Sequence, residues 1–390
     1  MKKYVALIAS VYFLFLGMLI LNGQSEESKI YLPLVQNNYD PSWKWQESIT
    51  ITLSPSPWGI PLTIIDHQGR FHILWSTLTV PRYIYHTYYD GNQWSPQLPM
   101  AETLGYSKVL YAPLVDGNGH LHLVWHNDLG LGESKRLMYA EFDGTSWGSE
   151  QEIYRTDNSS VQGMPQLDGH GRVQITLLDG SYSTTAYQAI ENNNAWQLSG
   201  AIQPGHLVQW TWPDMSGGIH FYGSDYNNHL FYSYWNSSGF QIQNYQTTGT
   251  ITGRQTQLDG QNNLHTFWTS TVSIPGSSVT GLYYQCLDHN LSWQPQSVLS
   301  GRNAVNGTPQ KASDTSSQVA LAWEEKQRDW FVVGVWHGCK QTDVKDIPDT
   351  YPTTQTLQAL AISQTPGKLC VLTKKDYSSE FAAVCADIDE

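Results

Sequence analysis

A short element recurs along almost the whole chain: an aspartate-led tight turn, then a strand ending in an aromatic residue. It reads Asp66-His67-Gln68-Gly69-Arg70-Phe71-His72-Ile73-Leu74-Trp75, and returns as Asp116-Gly117-Asn118-Gly119-His120-Leu121-His122-Leu123-Val124-Trp125. Looser copies begin at Asp168, Asp214, Asp259 and Asp314, and a seventh turn falls at Thr365-Pro366-Gly367. The six aspartates stand 50, 52, 46, 45 and 55 residues apart. A period of this length suits one four-stranded blade of a propeller.

A second landmark carries the same period. Trp94, Trp147, Trp196 and Trp293 are each followed six residues later by an apolar residue: Met100, Ile153, Ile202 and Leu299. An even spacing puts both members of a pair on one face of a strand. One copy has Phe240 and Gln246 in these places, and the copy around Cys339 to Ile347 lacks the aromatic. Trp43 and Ile49 show the same spacing with no earlier strands before them, while the last repeat, Leu357 to Ile388, stops one strand short. The N-terminal strand is therefore expected to complete the last blade, which removes the sheet edges of an open array. The fold class predicted is all-β: a single seven-bladed β-propeller of four-stranded blades over residues 41–390, closed by an N-terminal strand.

Composition agrees. Aromatics make up 13% of the chain and charged residues only 14%, which excludes a long disordered region. A net charge of −13 argues against a partner held by phosphate neutralisation, so no nucleic acid is expected. Met1-Lys2-Lys3 precedes an uncharged apolar run from Tyr4 to Leu21. Residues 1–23 thus read as a secretory signal or an uncleaved N-terminal anchor, and 24–40 as an extended linker. In either case the body lies outside the cytoplasm, with membrane contact only through such an anchor. Cys370 and Cys385 flank a hairpin-like segment symmetrically, as a cross-strand disulfide or as two buried thiols. The pairing of Cys286 and Cys339 stays open. No CxxC spacing suggests zinc, and no metal or cofactor is expected.

In the usual propeller layout the Asp-led turns lie on one face. The loops after the Trp75-like positions and those entering each first strand lie on the other, where ligands sit. Arg82, Arg136 and Arg328 fall in or after the former loops, and Arg155, Arg254 and Arg302 in or near the latter. Only Arg70 and Arg172 sit at the opposite turns. Arginine forks could grip a carboxylate while Asp128, Asp179, Asp225, Glu324, Glu325 or Asp329 does acid–base work; equally, loops hold charges because they are wet. For a glycosidase the candidates are Arg254 for a substrate carboxylate, with Asp179, Asp225, Glu324 or Glu325 as acid or base. Trp75, Trp125, Trp268 and Trp323 are core residues or, alternatively, platforms for sugar rings. His72, His122, His220 and His265 share one repeat position, filled elsewhere by Gln174, Ala320 and Cys370. Lying whole blades apart, they are expected to hydrogen-bond between packed blades rather than to share a metal.

The turns Asp90-Gly91-Asn92-Gln93-Trp94 and Asp143-Gly144-Thr145-Ser146-Trp147 resemble degenerate Asp-boxes of sialidase-like propellers, with Tyr88 and Glu141 in place of the box serine. The form Asp-x-x-Gly-x-Leu-His-x-x-Trp also resembles seven-bladed propeller lectins. The resemblance covers about residues 41–390 and implies an exported ring that binds glycans through its loop face. The sialidase signature Arg-Ile-Pro does not occur here. The expectation is therefore a non-catalytic glycan binder, with an exo-sialidase or other glycoside hydrolase, and a protein-interaction scaffold, as alternatives. Ligand contacts are expected from Arg82, Arg136, Arg254, Arg328, Trp75, Trp125, Trp268 and Trp323.

Overall fold

The computed structural model describes residues 43–388, apart from 78–81, 104–106, 112, 129–133, 159, 181–184, 193–194, 205–207, 225–229, 246–249, 275–276, 301–304, 314–317, 326–329, 348–354, 364–366 and 376–377. Residues 1–23, expected as a signal or anchor, and 24–40, expected as a linker, lie outside the described residues. What is described is all-β, in seven sheets that form the seven-bladed ring.

Blade 1 comprises Leu62–Ile65, Phe71–Ser76, Arg82–Tyr89 and Leu98–Thr103. Blade 2 has a first strand broken into Ser107–Leu110 and Leu114–Val115, then Leu121–Asp128, Lys135–Phe142 and Gln151–Thr156. Blade 3 runs Val161–Leu167, Val173–Asp179, Ala186–Asn192 and Ala195–Leu198, and blade 4 Trp210–Pro213, Ile219–Ser224, Leu230–Asn236 and Gly239–Tyr245. Blade 5 is Thr250–Leu258, Leu264–Ile274, Ser277–Leu287 and Ser297–Ser300; blade 6 is Val305–Ser313, Gln318–Glu325, Trp330–His337 and Lys340–Asp346. Blade 7 has three strands of its own, Gln355–Ser363, Lys368–Lys375 and Glu380–Asp387. The fourth place is filled from the front of the chain, by Lys44–Trp45 and Ile49–Thr52, with Trp45 opposite Ala386 and Ile51 opposite Phe381. The closing strand expected from Trp43 and Ile49 is thus present, as two pieces.

Second strands show no polar–apolar alternation because blades pack face to face and cover both their sides. Phe71–Ser76 is buried at every position. The core is accordingly not one mass but a series of apolar layers, each between two blades. Leu369 and Val371 enter a layer with Val333 and Phe331 of blade 6, while their neighbours Cys370 and Leu372 enter one with Phe71, Ile73 and Trp75 of blade 1. Trp75, Trp125, Trp268 and Trp323 are all at most 2% exposed within these layers. Core packing is the role their contacts describe, and none presents a ring face at which a sugar could stack.

The recurring turn explains itself through its aspartate. In blade 1, Asp66 Oδ1 accepts the backbone N–H of Gln68 and Arg70, both at 2.9 Å, which closes the turn. Its Oδ2 lies 3.1 Å from His72 Nε2, and His72 Nδ1 lies 2.9 Å from His86 Nε2. Trp147 of blade 2 donates to His86 Nδ1 at 3.2 Å. An indole can only donate, so the chain of bonds fixes both imidazoles as neutral tautomers whose Nε2–H points toward Asp66. Blade 2 repeats the arrangement with Asp116, His122 and Tyr139, blade 4 with Asp214, His220 and Tyr232, and blade 5 with Asp259, His265 and Tyr284. The histidines therefore bond within their own blade to the third strand, while Nε2 faces the turn aspartate at 3.1 and 3.3 Å in blades 1 and 5 and at 3.6 and 3.7 Å in blades 2 and 4. The expectation of His bonds between blades is corrected here: the third-strand partner lies on the same sheet, on the same face and two residues off register.

Contacts between blades come instead from the second landmark. The turn tryptophan of one blade covers the third strand of the blade before it: Trp147 on His86, Trp196 on Tyr139 and Trp293 on Tyr232. Blade 6 has no such tryptophan, and at its turn Cys339 is disulfide-bonded to Cys286 of blade 5. In blade 7 the His position is Cys370, which faces Cys385 in register and is disulfide-bonded to it.

Two expectations follow for stability. Asp214 accepts the backbone N–H of Ser216 and Gly218 and the Tyr234 hydroxyl, at 2.7–2.8 Å. Asp214→Ala leaves several buried donors unmet at about 1–3 kcal/mol each, so urea unfolding should show a loss of about 3 kcal/mol or more. In the blade 1 network burial lowers the pKa of His72, outweighing the pull of Asp66, and burial with repulsion from His72 and Arg70 puts His86 well below 6.5. Burial works against the Asp66 charge, yet its bonds to His72 and Arg70 hold it down to about 2. Depressed pKa values give stability that is full above the unfolded value and lost as pH falls through the folded one. Unfolding midpoints should thus fall once below pH 6.5 and again between 3.8 and about 2, and His86→Gln should shrink the first decline alone.

Candidate ligand-binding face

The connection from the closing strand into blade 1 is a built feature of the loop face. Trp58 N–H donates to the Ser76 carbonyl at 2.7 Å, and Pro57 bridges to Thr77. Trp75 Nε1 donates to the Pro55 carbonyl at 2.9 Å, so the buried tryptophan anchors the segment from beneath. Gln97 of blade 1 clamps its start, accepting from Ser54 N–H and donating to the Thr52 carbonyl. The result presents Trp58 at 39% exposure and Ile60 at 55%. Arg82, itself buried, places its guanidinium carbon 5.5 Å from the Trp58 ring centre. Tyr83, Tyr85 and Trp75 continue as a row of rings, 6.1 and 5.5 Å between centres. A fixed indole with a cation on one face and solvent on another can stack a ring and offer a charged donor at its rim.

Of the residues singled out from the sequence, Arg82 and the buried Trp75 join this cluster with their side chains among the described residues. Arg136 turns to Glu152, 3.5 Å away, which Arg155 also grips at 2.7 Å, on the outer strands of blade 2. Arg254 pairs by its backbone with Trp268, and its side chain is outside the described residues. Arg302, Arg328, Asp225 and Asp329 lie outside them altogether, and so does the side chain of Asp128. Asp179 accepts the hydroxyl of Tyr154 at 3.0 Å, and Glu325 that of Ser300 at 2.8 Å. Tyr154 and Ser300 both belong to the preceding blade. The shared repeat position of Asp179 and Glu325 thus works as a clasp between blades. Glu324 is half-buried opposite Asn306. Among the described residues no group of three His, Cys, Asp or Glu side chains could hold a metal.

Trp58 has no counterpart in other repeats and so stands outside the pattern that marks candidate residues, yet a tryptophan outside the period is not needed by a layer, which is itself a usable signal. Lys311, on the first strand of blade 6, carries no such signal. Its ammonium donates to the Thr256 carbonyl of blade 5 and lies 5.1 Å from the Trp212 ring centre of blade 4. First strands line the axis, so one lysine ties three successive blades there. Burial pushes its pKa down to about 7.

Fold and face together define a closed seven-bladed β-propeller with an aromatic and cationic patch on its loop side. No protein-family model matches the chain, and no curated protein matches its sequence. Among solved structures it is similar to the BP39L lectin from Burkholderia pseudomallei, with a TM-score of 0.54 and 9% identity over 84% of this chain and 96% of that one. It is also similar to a Dyadobacter fermentans protein of unknown function, with a TM-score of 0.50 and 11% identity over 90% of this chain and 100% of that one. The propeller domain of the trilobed protease from Pyrococcus furiosus has a TM-score of 0.50 and 9% identity, over 83% and 93%. At these identities the likeness is one of fold.

Lys311 gives an expectation in the basic range. Its pKa is 10.5 unfolded and about 7 folded. Between these values the unfolded chain takes up a proton that the folded one resists, so stability is lost as pH falls toward 7. Lys311→Met should therefore raise the thermal midpoint at neutral pH, and the gain should fade as pH approaches 10.5, which melting curves across that range will read.

Proposed function

We propose that this protein is an exported propeller that binds extracellular or cell-surface glycans through its loop face, without cleaving them. The observation that carries the reading is Trp58, exposed at 39% on a hydrogen-bonded support with Arg82 packed over it. An indole face attracts the C–H side of a pyranose ring, and a guanidinium donates to ring hydroxyls or to a carboxylate. Support comes also from the propeller likeness to a lectin. Asp179 and Glu325 are bound to neighbouring blades by Tyr154 and Ser300, which favours binding over acid–base chemistry at those positions. The apolar N-terminal run after Lys2-Lys3 supports export.

A glycan array followed by calorimetry on the chain from residue 24 tests this reading. Wild type should bind at least one glycan class, and Trp58→Ala and Arg82→Ala should each weaken it about tenfold or more. Absence of binding by a folded sample, or wild-type affinity in both variants, contradicts it. Release of a fluorogenic sialoside by wild type, lost in Arg254→Ala and Asp225→Ala, would make the protein an enzyme instead. Capture of a protein partner with no glycan binding would make it a scaffold.

A further inference from the structure

On the opposite face, at the outer half of blade 3, the repeat fails in a way that opens a cleft. At neighbouring joints a tryptophan closes the third strand, as Trp147 does over His86, Trp196 over Tyr139 and Trp293 over Tyr232. At the joint of blades 3 and 4 the covering position holds Phe240, which packs on Phe221 of its own blade and stays 37% exposed. The third strand of blade 3 carries Gln188 where blades 1, 2, 4 and 5 carry the rings of His86, Tyr139, Tyr232 and Tyr284. A cleft of about 250 Å³ remains there.

Its lining is built from planar polar groups. Gln188 donates its Nε2–H to Gln174 Oε1 at 2.8 Å, and Ile190 stands opposite Gln197 in register. Asn192, Ser199 and Leu198 complete the two-stranded wall, with Arg172 at the edge. Arg172 occupies the repeat place of Arg70, which is consumed by bonds to Asp66 and to the Gly144 carbonyl of the next blade. Arg172 likewise holds Asp168 Oδ2, through Nε at 2.8 Å and Nη2 at 2.7 Å, but its side chain remains 46% exposed. Among the described residues no acceptor from blade 4 meets its Nη1.

We propose that this cleft is a second ligand site, which takes one neutral hexopyranose ring. The amides and the Arg172 Nη1 supply donors and acceptors for adjacent hydroxyls, while Ile190 and Leu198 meet the C–H face of the ring. Neutrality follows from charge: Asp168 already balances Arg172, no other cation among the described residues lines the cleft, and the chain carries −13 overall. Among the described residues no carboxylate lines the cleft, which favours binding over hydrolysis. Its volume lies below the ~300–1,000 Å³ of drug-sized pockets, which limits it to a single ring. The site stands on observations separate from Trp58 and does not depend on the loop-face reading.

Titration of the whole mature chain with methyl glucoside, methyl galactoside and methyl mannoside, followed through side-chain amide resonances, tests the proposal. At concentrations above about 1 mM, one of the three should shift the Gln188, Asn192 and Gln197 amides. Gln197→Ala should weaken binding about tenfold, and Phe240→Trp, which restores the missing cover, should abolish it. Trp58→Ala should leave these shifts unchanged, which separates this site from the loop face. The proposal is overturned if none of the three glycosides shifts these amides, if glucuronic acid is preferred to all of them, or if the shifts persist in both Gln197→Ala and Phe240→Trp.

Discussion

Everything in this ring hangs from a carboxylate sunk into the first turn of a blade. One oxygen of Asp66, Asp116, Asp168, Asp214 or Asp259 accepts two backbone N–H groups of its own turn and so fixes the hairpin. In four of the five blades the other oxygen orients a histidine six residues on, and the histidine holds an aromatic or imidazole group on the third strand. Three strands are thereby locked in register by one side chain. An acid buried so deeply is tolerable because both of its oxygens are met by donors. In two of the three blades without the histidine another bond does its work: paired amides at Gln174 and Gln188 in blade 3, and the Cys370–Cys385 disulfide in blade 7.

Locked blades still have to be held to one another. Each contributes one face to an apolar layer with its predecessor and the other to a layer with its successor, so the ring has no single centre of hydrophobic burial. The turn tryptophans seal most of these layers at their outer edge, and the Cys286–Cys339 bond seals the one between blades 5 and 6. Closure is the same interaction applied to the chain ends: Trp43 and Trp45, on the borrowed strand, pack against the layer shared by blades 6 and 7. Functional surface can arise only where this scheme has something left over, as at Trp58, or something missing, as at Phe240.

That division explains what could be read from the residues. Architecture was legible because it is periodic: the recurring turns, six of them led by aspartate, count the seven blades, and the orphan pair Trp43 and Ile49 names the closing strand. The sidedness of Trp75 and His72 was legible too, since a strand alternates faces. Depth was not, and Trp75 looks the same in sequence whether it is a platform or a core residue. Partners across a joint were also hidden. Asp179 follows Tyr154, and Glu325 follows Ser300, by the same 25 residues, but a shared spacing does not say that the side chains meet across a joint, and so two structural clasps read as candidate acids. Cys339 could have been paired only by seeing that it stands at the turn where other blades carry tryptophan.

The central physical claim is that the aspartate-centred turns are part of the cooperative core, while the Leu53–Ile60 segment rides on top of it. Hydrogen–deuterium exchange read residue by residue tests this most directly. The amides of Arg70, His120, Arg172, Gly218 and Asn263, each bonded to a turn aspartate, should exchange only as slowly as global unfolding allows, and at similar rates in their separate blades. Trp58 should exchange through a cheaper local opening. If the five turn amides exchange as fast as Trp58, or at rates that differ freely from blade to blade, the turns are ornaments on the ring and the claim is wrong.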